Sequence, residues 1–146
     1  MAGSSAADAN ATGVTGFTTL TNSGTIRVDG TAVQGSYYYS AMQIINSGVI
    51  ESRKASAVTL GYGSVLTNEA SGTIQGMTAV DLTSGGTIIN RGTIVGNVGT
   101  LPYAYGSAVY VADGGTVAGN VTFGTYSDLF LQTGTATGGK RDDRRR

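Results

Sequence analysis

The sequence contains no cysteine, no histidine and no tryptophan, and only a single proline. Without cysteine there is no disulfide framework and no thiolate metal site. Without histidine the usual general base, the Ser/His/Asp triad and imidazole metal ligation are excluded together. Charged residues make up only 12% of the chain. No run approaches the apolar length of a transmembrane helix. The start, Met-Ala-Gly-Ser-Ser-Ala-Ala-Asp, has neither the positive end nor the apolar stretch of a signal peptide. Low charge combined with 24 glycines is a composition that disordered linkers share. The order of the apolar residues argues otherwise: Val, Ile and Leu recur in register, so the glycines punctuate corners.

What recurs is one phrase, written four times. It reads Leu20-Thr-Asn-Ser-Gly-Thr-Ile26, Ile44-Ile-Asn-Ser-Gly-Val-Ile50, Leu66-Thr-Asn-Glu-Ala-Ser-Gly-Thr-Ile74 and Ile88-Ile-Asn-Arg-Gly-Thr-Ile94. Its asparagines, Asn22, Asn46, Asn68 and Asn90, are spaced by one period of 22 to 24 residues. A fixed period of that size is the signature of stacked repeats. An apolar residue stands two before each Asn and another two after each Gly, so both sides of the corner send one side chain inward. That describes strand, corner, strand.

A second apolar row follows Ala at Val33, Val58, Val80 and Val109, with Gly35, Leu60, Leu82 and Val111 two residues later. Its members alternate at the period-2 spacing of a half-buried strand. Three short strands per repeat make one coil of a solenoid, and no coil buries its apolar face alone. The expected fold is all-β: a right-handed parallel β-helix (β-solenoid) of about five three-strand coils, its hand following the preference of parallel crossovers. Residues 1–16 are expected to be a flexible leader or irregular cap, 17–132 the β-helix repeats, and 133–146 a Gly/Thr-rich and then charged tail without structure. The final seven residues hold five of the nine basic side chains, leaving a body with more acid than base. Such a tail reads as a solvated run, so no nucleic-acid partner is expected.

The corner columns read as structural. Asn22, Asn46, Asn68 and Asn90 are placed to form an amide ladder between coils, satisfying corner backbone groups. Gly24, Gly48, Gly72 and Gly92 are expected to use the positive φ open to glycine. Surplus residues fall at Ser36-Tyr-Tyr-Tyr-Ser40 and around Gly99–Gly106. Insertions of this kind map to loops on the outside of a solenoid. Tyr37, Tyr38, Tyr39, Tyr103 and Tyr105 are therefore the candidate recognition residues, because tyrosine offers large amphipathic contact area at low entropy cost.

Catalysis finds little support. Glycoside cleavage needs two facing carboxylates, and the repeat frame sets no two acids in one column on adjacent coils. Asp81, between Val80 and Leu82, is expected to point outward, and Glu69 sits at a corner. Asp8, Asp29, Glu51, Asp113 and Asp128 are scattered. The chain is expected not to be an enzyme, and neither cofactor nor metal is called for. The outer Thr row (Thr25, Val49, Thr73, Thr93) is interrupted by valine and flanked by Thr21, Ile45, Thr67 and Ile89, which fits ordinary strand propensity better than a flat ice-binding array.

Serial TNSGTI, INSGVI, TNEASGTI and INRGTI phrases, the Ala-Val strands and the trailing Gly-Asn-Val-Thr-Phe-Gly stretch resemble the passenger regions of Gram-negative autotransporters, the adhesin-like ones above all. The resemblance spans about residues 17–139. It implies a β-helix displayed outside the cell, at the surface of a Gram-negative bacterium, by an outer-membrane barrel. Neither a signal peptide nor that barrel lies in the chain. The implied function is a non-enzymatic stalk or adhesive segment whose partner is a protein or glycan on a host or neighbouring cell. The alternative is a structural solenoid that self-associates through exposed end coils.

Overall fold

The computed structural model describes residues 13–35, 41–100 and 106–134, and the backbone of the strand at 137–142. The first coil comprises β1 (Thr19–Asn22), β2 (Thr25–Val28) and β3 (Val33–Gln34), and the second β4 (Gln43–Asn46), β5 (Val49–Ser52) and β6 (Ser56–Leu60). The third holds β7 (Val65–Asn68) and β8 (Thr73–Leu82), the fourth β9 (Gly86–Asn90) and β10 (Thr93–Thr100). Then come β11 (Ala108–Asp113) and β12 (Thr116–Thr122), followed by β13 (Leu129–Thr133) and β14 (Thr137–Asp142). Every pairing between these strands is parallel and joins one coil to the next, as β1-β4-β7-β9-β11-β13 and as β2-β5-β8-β10-β12-β14. The chain is a β-solenoid of about five turns. Among the described residues no helix is long and apolar enough to cross a membrane.

Like stands on like. Leu20, Ile44, Leu66, Ile88, Tyr110 and Phe130 form one inward row. Ile26, Ile50, Ile74, Ile94 and Val117 form the second. The core members from Ile44 to Ile94 in these rows have no exposed surface. Complete burial of an Ile or Leu side chain stabilises by roughly 1.5–3 kcal/mol, so each coil gains most of its stability from its two neighbours.

The third row corrects the sequence reading. Val33, Val58 and Val80 are in register, but the next residues above them are Val98 and Val121. Val109 and Val111 stand instead over Thr87 and Ile89 in the first sheet, half-buried on its outer side, with Tyr110 between them facing in. An apolar–polar–apolar triplet satisfies strand alternation on either face, and Tyr is the one polar-looking residue that belongs inside. The surplus residues 101–105 accordingly lie, in chain order, between the third face of one coil and the first face of the next, as residues 36–40 do.

The second and third strands of a coil also merge. β8 and β10 each run across both faces, with register irregularities between Val95 and Val98. The bend is made at Gly96, whose φ is 121°. Finally, the stack is longer at both ends than the repeat phrase indicates. Val14 forms a parallel bridge with Val33, and Thr137–Asp142, within the stretch expected to be a structureless tail, pairs with β12. Ladder hydrogen bonds belong to the backbone, so a strand can continue where the side-chain phrase has lapsed.

Candidate functional site

The asparagines at the ends of β1, β4, β7 and β9 are linked through the stack by their side chains. Asn22 Nδ2 donates to Asn46 Oδ1 at 2.8 Å, Asn46 Nδ2 to Asn68 Oδ1 at 2.9 Å, and Asn68 Nδ2 to Asn90 Oδ1 at 3.0 Å. The same nitrogens donate to carbonyls of their own corners at Gly24, Gly48 and Gly72. They also reach Val49 O, Thr73 O and Thr93 O in the coil above. Asn46, Asn68 and Asn90 have no exposed surface, so each amide must be satisfied from within the protein.

The ladder ends on a different residue. Ala112 occupies the Asn position above Asn90, and Asn90 Nδ2 donates to Tyr110 Oη at 3.2 Å. Burial pushes the Tyr110 phenol up to about 12, while the bond from Asn90 acts in the opposite direction. Its ring stacks on Phe130 with centroids 5.5 Å apart, and Phe123 meets Phe130 edge-on at 6.4 Å. Aromatic packing takes over the interior where the aliphatic rows stop.

The corner glycines have a different cause from the one expected. Gly24, Gly48, Gly72 and Gly92 do not adopt positive φ; the left-handed glycines lie elsewhere, at Gly63, Gly85 and Gly114 among others. At Gly48 a Cβ would overlap Gly24 O, and at Gly92 it would overlap Glu69 O and Gly72 O. Coil-to-coil approach is what demands glycine there.

Most of the acids are committed to partners. Arg27 Nε meets Glu51 Oε2 at 2.7 Å. Asp29 is buried and paired with Lys54 at 2.9 Å and Arg53 at 3.1 Å, and the Lys54 hydrogen bond leads in holding its carboxyl below the usual range. Arg91 bridges Glu69 and Asp113 at 3.4 and 2.8 Å, so acid, base and acid alternate up one corner. The Arg91 hydrogen bond, then that from Thr133, keeps Asp113 low. Asp128 Oδ1 accepts the Ala108 backbone N–H at 2.7 Å. Among the described residues no three potential ligands gather to hold a metal ion. Asp8 lies outside those residues.

Asp81 is the exception. It is half-buried on the third face, its side chain makes no hydrogen bond or ion pair among the described residues, and burial raises its pKa. Between the unfolded value and this raised one, the folded chain binds more protons, so stability falls as pH rises through that window. Asp81→Asn is therefore expected to raise the melting temperature at neutral pH, with the gain vanishing once both states are protonated below about pH 3. Thermal melts at the two pH values check this; an equal gain at both would contradict the burial argument.

The candidate recognition residues Tyr37, Tyr38, Tyr39, Tyr103 and Tyr105 lie outside the described residues. The structure sets Asp81, which the sequence reading placed outward, beside Asn97 and Asn120, which it did not single out, around a cleft of about 190 Å³ on the third face. No protein-family model matches the chain, and no curated protein or solved structure matches it either.

Proposed function

We propose that the chain is a non-enzymatic stalk or adhesive segment of a surface-displayed autotransporter passenger. The observation that carries this reading is the parallel register of like residues in the first sheet, coil upon coil, with a buried amide ladder along one corner. Such a stack is a rod that lengthens by about 4.8 Å per coil, and its rigidity is set by repeated hydrogen bonds rather than by one central core. The repeated TNSGTI-type phrase supports the particular family and the extracellular location. Partners on this reading are proteins or glycans of a host or neighbouring cell, met by the tyrosine-bearing insertions.

The test is adhesion of beads coated with the full chain to cultured epithelial cells and to bacterial cells. Replacing Tyr37, Tyr38 and Tyr39 together with Ser is expected to reduce retention by about tenfold, the scale set by losing rigid aromatic contacts, with the thermal midpoint unchanged. Retention no better than that of uncoated beads on either surface overturns the reading.

A further inference from the structure

The outer row of the third face reads Gln34, Thr59, Asp81, Gly99 and Thr122 in register. Gly99 alone in that row has no side chain, and the notch it leaves beside Asp81 belongs to the cleft of about 190 Å³. Nothing in the backbone demands glycine at this point. Its φ is not positive, and a Cβ there would meet Thr122 O at 3.4 Å and Thr122 Cβ at 3.5 Å, both ordinary contacts. This sets Gly99 apart from Gly48, Gly72 and Gly92, where a Cβ would collide with the neighbouring coil.

The groups around the notch are incompletely hydrogen-bonded among the described residues. Thr100 borders it, but its side chain stands in register with inward Leu82, and its buried Oγ1 has no partner among the described residues. The Asp81 carboxylate is unpaired as well. Asn97 Oδ1 accepts the Asn120 backbone N–H at 3.1 Å, which holds that amide between the two coils with its N–H donors unspent. An open-sided cleft lined by the unpaired Asp81 carboxylate, the Asn97 and Asn120 amides and Thr78 is organised for a polar ligand.

We propose that this notch is a saccharide subsite that takes one neutral sugar ring. Sugar hydroxyls both donate and accept, so one ring can give hydrogen bonds to Asp81, exchange them with Thr78, and accept from Asn97 and Asn120. An anion would meet the Asp81 charge, and a calcium ion prefers several carboxylates where the cleft offers one. The volume falls below the roughly 300 Å³ of sites for drug-sized ligands, which limits the occupant to a single ring at the end or edge of a longer glycan. This assignment stands whether or not the chain is surface-displayed.

The experiment is a backbone-resolved NMR titration of the full chain with D-glucose, D-galactose, D-mannose and N-acetylglucosamine, each at millimolar concentration. Saturable shifts are expected for at least one of them at residues 78–81, 97–100 and 120–122. Gly99→Thr, which fills the notch with a strand-compatible side chain, is expected to abolish those shifts while the melting temperature stays level or rises. Asp81→Asn provides a second variant and is expected to weaken binding about tenfold or more, the effect of losing a hydrogen bond to a charged group. No saturable shift with any of the four sugars overturns the proposal. So do shifts that persist in folded Gly99→Thr, or a response of the same residues to calcium chloride alone.

Discussion

Asn68→Ala is expected to destabilise the chain by about 4 kcal/mol, measured as a fall in the urea midpoint at unchanged slope. Asn68 has no exposed surface. Its Nδ2 donates to Asn90 Oδ1 at 3.0 Å, Gly72 O at 3.2 Å and Thr93 O at 3.2 Å, and its Oδ1 accepts from Asn46 at 2.9 Å. Alanine leaves Asn90 Oδ1 without that donor where water cannot reach and removes one bond each from Thr93 O and Asn46 Nδ2, while Gly72 O keeps the Thr93 backbone N–H at 2.9 Å; an orphaned buried group costs about 1–3 kcal/mol. A domain of this size has a total stability of roughly 5–15 kcal/mol, so one amide in the middle of the column accounts for a large share of it. Asn68→Asp is expected to be no milder, because it keeps the shape but turns oxygen towards the three acceptors. Asn22→Ala, where among the described residues Asn22 Oδ1 receives only the Gly24 backbone N–H at 3.2 Å, is expected to cost about 1–2 kcal/mol. Equal losses at Asn22 and Asn68 would mean that the ladder acts residue by residue rather than as a column.

The difference between these two asparagines was only partly readable from the sequence. The column itself was open to view because a solenoid writes one geometric requirement again at every turn, and Asn22, Asn46, Asn68 and Asn90 answer it with the same residue. Its end was not, because Tyr110 replaces the missing fifth Asn from a neighbouring row while Ala112 fills the column position. Gly115-Thr-Val117 copies Gly92-Thr-Ile94, but counting back from Gly115 by the spacing of Ile88 to Gly92 reaches Val111, so a corner one residue longer hid the place of Tyr110 in the Leu/Ile row. The ion pairs were accessible too. Arg27 and Glu51, or Glu69, Arg91 and Asp113, are separated by one coil period each, and comparing charges at that period would have paired them. The polar cleft was hidden for a different reason. Asp81 reads as an ordinary outward acid, and only the register of Gly99 beside it shows that a neighbouring side chain is missing.

Gly92→Ala is expected to destabilise the chain by about 3 kcal/mol, whereas Gly24→Ala, at the same place in the phrase, is expected to be neutral or to stabilise by about 0.5 kcal/mol. Neither glycine has a positive φ, so alanine meets no intrinsic backbone penalty at either position. The difference lies wholly in what is underneath. A Cβ on Gly92 would overlap Glu69 O and Gly72 O and would come within 2.8 Å of Asn68 Nδ2, whereas a Cβ on Gly24 meets nothing within 4 Å. Overpacking of that kind forces a backbone shift, and here the shift must either separate a pair of hydrogen-bonded coils or push aside the ladder amide. The second route predicts coupling. In the double variant with Asn68→Ala some of the collision is relieved, so the combined loss should fall below the sum of the two single losses by about 0.5 kcal/mol or more. Urea denaturation of the four proteins decides the matter: a Gly24→Ala loss as large as that of Gly92→Ala would show that the corner glycines answer to their own turn and not to the coil beneath them.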